Sequence, residues 1–152
     1  MPGESRGRQK RFATNLKSRR PALTSMTTGM TKRLELSLAD AELRVQAALK
    51  TEGFGVLTRI DLQATLKQKL GVEVPAHLIL GACNPTFAHR ALGLDPAVAL
   101  MLPCNVTLQE DGDGVLVRLV DPLQTMAARG EPPLLALAGE VRDALSRVRE
   151  HL

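Results

Sequence analysis

The stretch HLILGACNPTFAHRAL, residues 77–92, reads as a strand that runs directly into a helix. Its first seven residues are apolar on both faces, which is typical of a buried strand. Asn84 has the short polar side chain that favours an N-cap, and Pro85 has the fixed φ that suits a first helical position. Proline also pushes the preceding residue into extended backbone, as an N-cap requires. The sequence therefore predicts that a strand ends at Cys83 and that a helix begins directly after Asn84.

Upstream of this junction, KRLELS, residues 32–37, predicts a short strand that ends at the start of a helix. Ser37 and Asp40 have the spacing of a capping box, and Gly53 is placed to close a helix that continues through Glu52. We expect one stripe of this helix to be buried, consisting of Leu38, Ala41, Val45 and Ala48.

GFGVLTRI, residues 53–60, predicts a second strand, and DLQATLKQKLG, residues 61–71, predicts a compact helix. Asp61 at the start of this helix and the two lysines near its end favour the helix dipole, and Gly71 lies just past its end. The two glycines before the strand are turn residues, because a dinucleotide fingerprint needs a third glycine that opens a helix. The buried side of the helix is predicted to be Leu62, Leu66 and Leu70.

The second half of the chain predicts two strands and a long final helix. Residues 97–110 alternate as one strand, with Cys104 on its apolar face beside Leu100, Leu102, Val106 and Leu108. EDGDG, residues 110–114, predicts a hairpin loop that leads into VLVRLV, residues 115–120. This loop lacks the later ligands of a calcium-binding EF-hand. The final helix runs from Pro132 to Leu152, with Leu134, Leu137, Val141, Leu145 and Val148 facing inward.

The composition is that of an ordinary soluble domain: 152 residues, 44% hydrophobic and 24% charged. A chain of this length can bury one core without disulfides or metals. No apolar run approaches the roughly 20 residues of a membrane span, so we predict no membrane partner. Two cysteines without a hydrophobic secretory segment at the N-terminus favour a reducing compartment. We therefore expect a cytoplasmic protein.

The net charge of +4 is concentrated at the N-terminus. Residues 1–29 contain seven Arg and Lys and one acidic residue, whereas residues 30–152 contain thirteen basic and fifteen acidic residues. We expect residues 1–29 to be a disordered basic extension, since they have no periodic apolar face, and residues 30–152 to form one domain. The extension has three interpretations: an arm that binds nucleic acid, an organellar transit peptide, or a translated leader upstream of a start at Met26 or Met30.

We do not expect the domain itself to bind nucleic acid. Residues 30–152 are acidic overall, and the chain has no Trp, no Tyr and only three Phe that could stack on bases. If the chain binds nucleic acid, we expect the basic extension to do so.

Three blocks of the sequence resemble a known family. EGFGVLTRIDLQATLKQKLG (residues 52–71), ILGACNPTFAHRAL (residues 79–92) and LMLPCNVTLQEDGDG (residues 100–114) are similar to the signature blocks of the bacterial and archaeal family called domain of unknown function 302. The resemblance covers the chain from about Met30 to the C-terminus. It implies an α+β fold with an antiparallel sheet, helices on one face and a TATA-binding-protein-like strand order, and it implies a dimer. It implies no established activity, and it leaves the cofactor unknown.

The candidate site consists of the two Cys-Asn pairs, Cys83-Asn84 and Cys104-Asn105, together with His89. The structural interpretation is that both cysteines are small core residues and that Asn84 is only a cap. The functional interpretation starts from Cys83, because a thiol just before a helix N-terminus faces unpaired N–H groups that favour the thiolate. If the strand of Cys104 lies beside the strand of Cys83, the thiols would form a redox couple or, with His89, an open metal site.

Two classes of function follow from these residues. The first is a small binding module whose pocket near the Cys-Asn pairs takes a small ligand or a metal, or whose sheet takes a protein partner. The second is a thiol-dependent redox enzyme that uses Cys83. No G-x-S-x-G motif is present, so a serine hydrolase is not favoured, and no catalytic residue is assigned. We also expect a homodimer, because VALMLP, residues 98–103, is apolar on both faces and a sheet with helices on one side leaves its other side open.

Overall fold

A five-stranded antiparallel sheet organises residues 29–126 and 131–152, which are the residues that the computed structural model describes. The strands are β1 (Gly29–Leu34), β2 (Gly55–Asp61), β3 (His77–Cys83), β4 (Cys104–Asp111) and β5 (Gly114–Val120). The helices are α1 (Leu38–Thr51), α2 (Leu62–Leu70), α3 (Pro85–Leu94), α4 (Pro122–Met126) and α5 (Pro132–Glu150), with one 3-10 helix at Pro96–Met101.

The strand order is β1-β5-β4-β3-β2, and every neighbouring pair is antiparallel. This confirms the predicted α+β class with an antiparallel sheet. Gly29, which the charge pattern assigns to the basic extension, is the first described residue of β1, and residues 1–28 lie outside the described residues. No helix in the described ranges is long and apolar enough to cross a membrane.

One face of the sheet packs against α1 and α5. Across β3 and β4, Leu80 is opposite Val106 and Ala82 is opposite Cys104, and all four residues are buried. Side chains alternate between the faces of a strand, so these pairs and their neighbours at every second position form a continuous apolar layer. α1 and α5 contact each other as well as strands of the sheet.

The two helices of the core follow their sequence signals closely. The Ser37 hydroxyl accepts a hydrogen bond from the Asp40 backbone N–H at 3.1 Å and so caps α1, and Gly53 has a positive φ of 78° just after the helix. The predicted stripe of α1 is buried at Ala41, Val45 and Ala48, whereas Leu38 is only partly buried and Leu49 completes the stripe. All five residues predicted to face inward on the final helix are buried.

The prediction of a strand over residues 97–110 is wrong in its first half. Residues 96–101 form a 3-10 helix because Pro96 begins it and the Asp95 carboxylate caps it, accepting a hydrogen bond from the Ala97 N–H at 2.9 Å. β4 begins only at Cys104. Leu100, predicted to lie on the apolar strand face, is 87% exposed.

Two further predictions are corrected. α2 has the predicted caps, but none of its residues is buried and Leu70 is 67% exposed. Within the described part of the chain its most extensive contact is with β3, and no helix packs closely against it. The first strand ends at Leu34 instead of residue 37, since Leu34 pairs with Val115 and β5 begins one residue earlier, at the hairpin. α4 was not anticipated from the sequence, although Asp121 caps it, accepting from the Leu123 N–H at 3.0 Å.

Gly81 is a position where the sheet needs a residue without a side chain. A Cβ there would collide with the Thr58 hydroxyl oxygen and lie 2.7 Å from Pro103 Cγ. We expect Gly81→Ala to lower the free energy of unfolding by about 1–3 kcal/mol, as overpacking usually does. Urea unfolding followed by circular dichroism measures the change.

Gly93 in α3 is the matched control, because no atom of the described residues lies within 4 Å of a Cβ built there. Gly93→Ala should raise the free energy of unfolding by about 0.5–1 kcal/mol through helix propensity. A Gly81→Ala variant as stable as the unmodified chain would contradict the close approach at this point in the sheet.

Candidate functional site

The junction between β3 and α3 is held by the Asn84 side chain. Its Oδ1 accepts hydrogen bonds from the backbone N–H groups of Thr86 at 3.1 Å and Phe87 at 3.2 Å, which confirms the predicted N-cap. Its Nδ2 donates to the Glu52 carbonyl at 3.1 Å, at the C-terminal end of α1. Both halves of the Asn84 amide therefore have protein partners, and the side chain ties two helices together beside the end of β3.

A cavity lies next to this junction, between the end of β3, the start of β4 and the helices α3, α4 and α5. The cavity volume is about 30 Å³. This is enough for roughly two waters or one small apolar group. Its lining comprises Phe54, Ala82, Cys83, Asn84, Phe87, Ala88, Ala91, Leu102, Cys104, Met126, Leu137, Ala138 and Val141.

The cavity has a buried floor and a partly exposed rim. Ala82, Leu137 and Ala138 are buried and form the floor, while Phe87 and Leu102 are partly exposed. The rings of Phe54 and Phe87 lie at one side, with centroids 6.4 Å apart and an angle of 44° between their planes. The lining contains no Asp, Glu, Lys, Arg or His side chain, so it is suited to an apolar group.

Three of the five predicted site residues meet at this cavity and two do not. Cys83, Asn84 and Cys104 line it. His89 is exposed on α3 and does not line it, and Asn105 is exposed opposite Gly81 on the other face of the sheet. Within residues 29–126 and 131–152, no group of three or more His, Cys, Asp or Glu side chains is placed to hold a metal ion. The predicted three-ligand arrangement is therefore not assembled here.

The two thiols lie on neighbouring strands, which is the condition that the redox interpretation requires. The orientations of the two thiols are less favourable for a disulfide. Ala82 is directly opposite Cys104, so strand alternation directs the next residue, Cys83, toward the other face of the sheet. A disulfide needs Cβ atoms that point toward each other, and this register does not provide that arrangement without a backbone shift. Both cysteines are free thiols.

Burial, and to a smaller extent the charge of Cys83, raises the pKa of the Cys104 thiol to about 11. Cys104 is only 9% exposed. At neutral pH its thiol is therefore protonated and poorly reactive, since the thiolate is the nucleophile. Cys83 is partly exposed at the end of β3, so it is the more accessible of the two.

Sequence reasoning missed most of the apolar lining. Phe54, Phe87 and Met126 come from three separate parts of the chain and share no spacing that marks them as one site. The signal that was available is the inward stripe of α5, because Leu137 and Val141 belong both to that stripe and to the lining.

Among the described residues, three ion pairs join α5 to neighbouring elements. Arg90 on α3 contacts Glu140 at 2.6 Å, and Arg147 contacts Glu52 at 3.1 Å, just after the end of α1. Arg142 contacts Asp121, the cap of α4, at 3.1 Å. The arginine side chains of these pairs are about half exposed, whereas Asp121 is buried, so solvent weakens the attraction within each pair. They orient α5 relative to its neighbours and stabilise it only modestly.

An antiparallel sheet backed by helices, with a small apolar cavity at a strand-to-helix junction, defines this protein as an α+β domain. Residues 30–152 match the family model described as "Domain of unknown function DUF302", and the chain therefore belongs to this family. This confirms the family that the three sequence blocks indicate.

Among solved structures, the chain is similar to the crystal structure of the uncharacterized conserved protein DUF302 from Bacillus stearothermophilus. The TM-score is 0.78 with 24% sequence identity, over 83% of this chain and 98% of that chain. At this identity the likeness shows the fold. Comparison with curated proteins gives no match.

We expect the two thiols to differ strongly in their reaction with iodoacetamide in the folded protein. Cys83 should be alkylated first because it is partly exposed, and Cys104 should stay unmodified until the pH approaches about 11. Mass spectrometry of the cysteine peptides, sampled over time from pH 7 to pH 10, measures both rates.

The protein unfolded in urea is the control, in which both thiols should react at similar rates. A Cys83→Ala variant isolates the rate of Cys104. Faster alkylation of Cys104 than of Cys83 in the folded protein would contradict the burial of Cys104 on the core side of β4.

Proposed function

We propose that this domain is a small binding module whose cavity takes a small apolar group, such as the end of an alkyl or acyl chain. The observation that carries the proposal is the lining: apolar side chains from several elements converge beside one polar residue, Asn84, whose hydrogen bonds are made within the protein. A group inserted there meets few unsatisfied polar atoms, so it need not form hydrogen bonds of its own.

The size of the cavity limits what it accepts. About 30 Å³ suits a methyl-bearing chain end and is too small for a drug-sized molecule. The partly exposed rim at Phe87 and Leu102 lets the rest of a longer ligand remain in solvent. We therefore favour a ligand with one apolar end and a solvated remainder.

The test uses xenon and 1-butanol as probes, followed by NMR of the methyl groups of the full chain. Both probes should shift the methyl signals of Leu102, Leu137 and Val141, whereas butane-1,4-diol, which has no apolar end, should not. An Ala88→Leu variant fills the rim and should abolish the shifts.

Ala47→Leu is the matched control, because Ala47 is exposed on α1 and does not line the cavity. It should leave the probe-induced shifts unchanged. Equal shifts with the diol, or shifts that persist in Ala88→Leu, would overturn the proposal.

A thiol-dependent redox enzyme is the second candidate, and the observation that favours it is the presence of Cys83 and Cys104 in the same lining. Oxidation by glutathione disulfide would convert the two thiols to one disulfide and release two molecules of reduced glutathione. A mass lower by two hydrogens after this treatment supports the enzyme, whereas Cys83 modified by a single glutathione does not.

For the assembly we propose a homodimer, although VALMLP does not contribute a strand to the sheet as expected. The observation that supports a dimer is β2, an edge strand that pairs only with β3 among the described strands. β2 exposes Leu57 at 69% and Ile60 at 44%, and an apolar edge favours pairing with a second strand. Two copies of β2 would pair about a two-fold axis.

Sedimentation of the full chain at micromolar concentration tests this assembly. Leu57→Lys should convert the dimer to a monomer, because a charge would be buried at the joined edges. Leu94→Lys is the control, since Leu94 is 50% exposed at the end of α3, a helix that makes no extensive contact with β2 among the described residues. A monomer mass for the unmodified chain would overturn the proposal.

We also propose that the protein is cytoplasmic. Its two cysteines are unpaired thiols, one of them buried, and such thiols suit a reducing compartment.

A further inference from the structure

The face of the sheet opposite α1 and α5 carries a group of polar side chains on its three central strands. Leu78, Leu108 and Val117 are buried on the core side. Strand alternation therefore places their neighbours His77, Gln109 and Arg118 on the opposite face. His77 pairs with Gln109 across β3 and β4, and Arg118 pairs with Thr107 across β4 and β5. All three side chains are partly buried.

A hydrogen bond joins two members of this group. Arg118 Nη1 donates to Gln109 Oε1 at 2.9 Å. This bond uses the acceptor of the Gln109 amide and leaves its Nε2 with two N–H donors. Among the described residues, Gln109 Nε2 donates no hydrogen bond and no carboxylate lies within salt-bridge distance of Arg118.

His77 lies in the field of this guanidinium. Burial, and then the positive charge of Arg118, lowers the pKa of His77 below its ordinary value. Asp61, at the end of the neighbouring strand β2, directs its carboxylate to the Ala64 N–H at 2.9 Å. Gln109, directly opposite His77, is neutral.

The free hydrogen-bonding groups of these three side chains are mainly donors. The guanidinium offers several N–H donors and no acceptor, the Gln109 amide offers its remaining N–H groups, and the imidazole offers one N–H in its neutral form. Among the described residues, the side chain that pairs with this partly buried positive charge is the neutral Gln109. The chemical group that complements these features is an oxyanion, which accepts several hydrogen bonds and carries negative charge.

We propose that His77, Gln109 and Arg118 form a binding site for a small oxyanion, a carboxylate or a sulfate- or phosphate-like group, on the open face of the sheet. Arg118 supplies the charge, Gln109 orients the guanidinium while donating from its amide, and His77 donates from the third strand. This site is separate from the cavity at Asn84, so its test is independent of the proposed function.

The experiment is an NMR titration of the full chain with sodium sulfate and, separately, sodium acetate, at an ionic strength kept constant with chloride. The signals of the Arg118 Nε–H, the Gln109 side-chain amide and the His77 ring should shift together and saturate with one dissociation constant. Bound anion should also raise the pKa of His77, because it offsets the field of Arg118.

Arg118→Gln should weaken binding about tenfold or more, the loss expected for one charge-assisted contact. Lys69→Gln is the matched control, since Lys69 is exposed on α2 and its removal changes the net charge equally. If Arg118→Gln fails to fold, Gln109→Glu replaces it, because a carboxylate beside Arg118 would occupy the guanidinium and prevent anion binding.

Three results would overturn the proposal. One is the absence of saturable shifts at these three residues in the unmodified chain, and another is equal weakening by Lys69→Gln, which would indicate only general screening. The third is a shift of the same signals with protein concentration in the absence of added anion. That result would mean that a carboxylate of a second copy, and not a free anion, fills the position.

Discussion

The antiparallel register of β3, β4 and β5 is the constraint on which both faces of this protein depend. Leu80 lies opposite Val106, and Val106 lies opposite Leu119, so the three strands present one apolar layer to α1 and α5. The residues next to these lie on the other face, where Thr107 is opposite Arg118. A slip of one residue would turn Arg118 into the core and Leu119 out to solvent. Burial of the apolar layer therefore determines where the polar residues lie.

The same register brings the ends of β3 and β4 together at the cavity. Ala82 and Cys104 both line the cavity, and the chain then leaves β3 through Asn84 into α3. Because the Asn84 amide bonds both the first turn of α3 and the Glu52 carbonyl after α1, the opening beside it has a defined shape. The two candidate binding surfaces thus differ in chemistry, one apolar and uncharged, the other rich in hydrogen-bond donors.

The candidate site could be predicted from the sequence only in part. Cys83 and Asn84 are adjacent to the junction signal itself, and Cys104 follows from strand alternation. The prediction that His89 belongs to the site is wrong because of the helix geometry. Ala88 and Ala91 line the cavity, and His89, one position after Ala88, is rotated about 100° around the helix. The group of His77, Gln109 and Arg118 has no sequence signature, since its members come from three strands and meet only through the register.

The sequence by itself determined the features whose causes are local. Ser37, Asp61 and Asn84 cap their helices because each side chain reaches N–H groups no more than three residues away, and the stripe of α5 follows from its own periodicity. Only the tertiary structure decided which apolar residues are covered. Leu100 alternates like a strand residue, yet a 3-10 helix leaves it in solvent. Leu70 lies on the predicted apolar side of α2, but none of the residues of this helix is buried. Burial depends on which elements pack against a residue, and that is set by contacts between segments far apart in the chain.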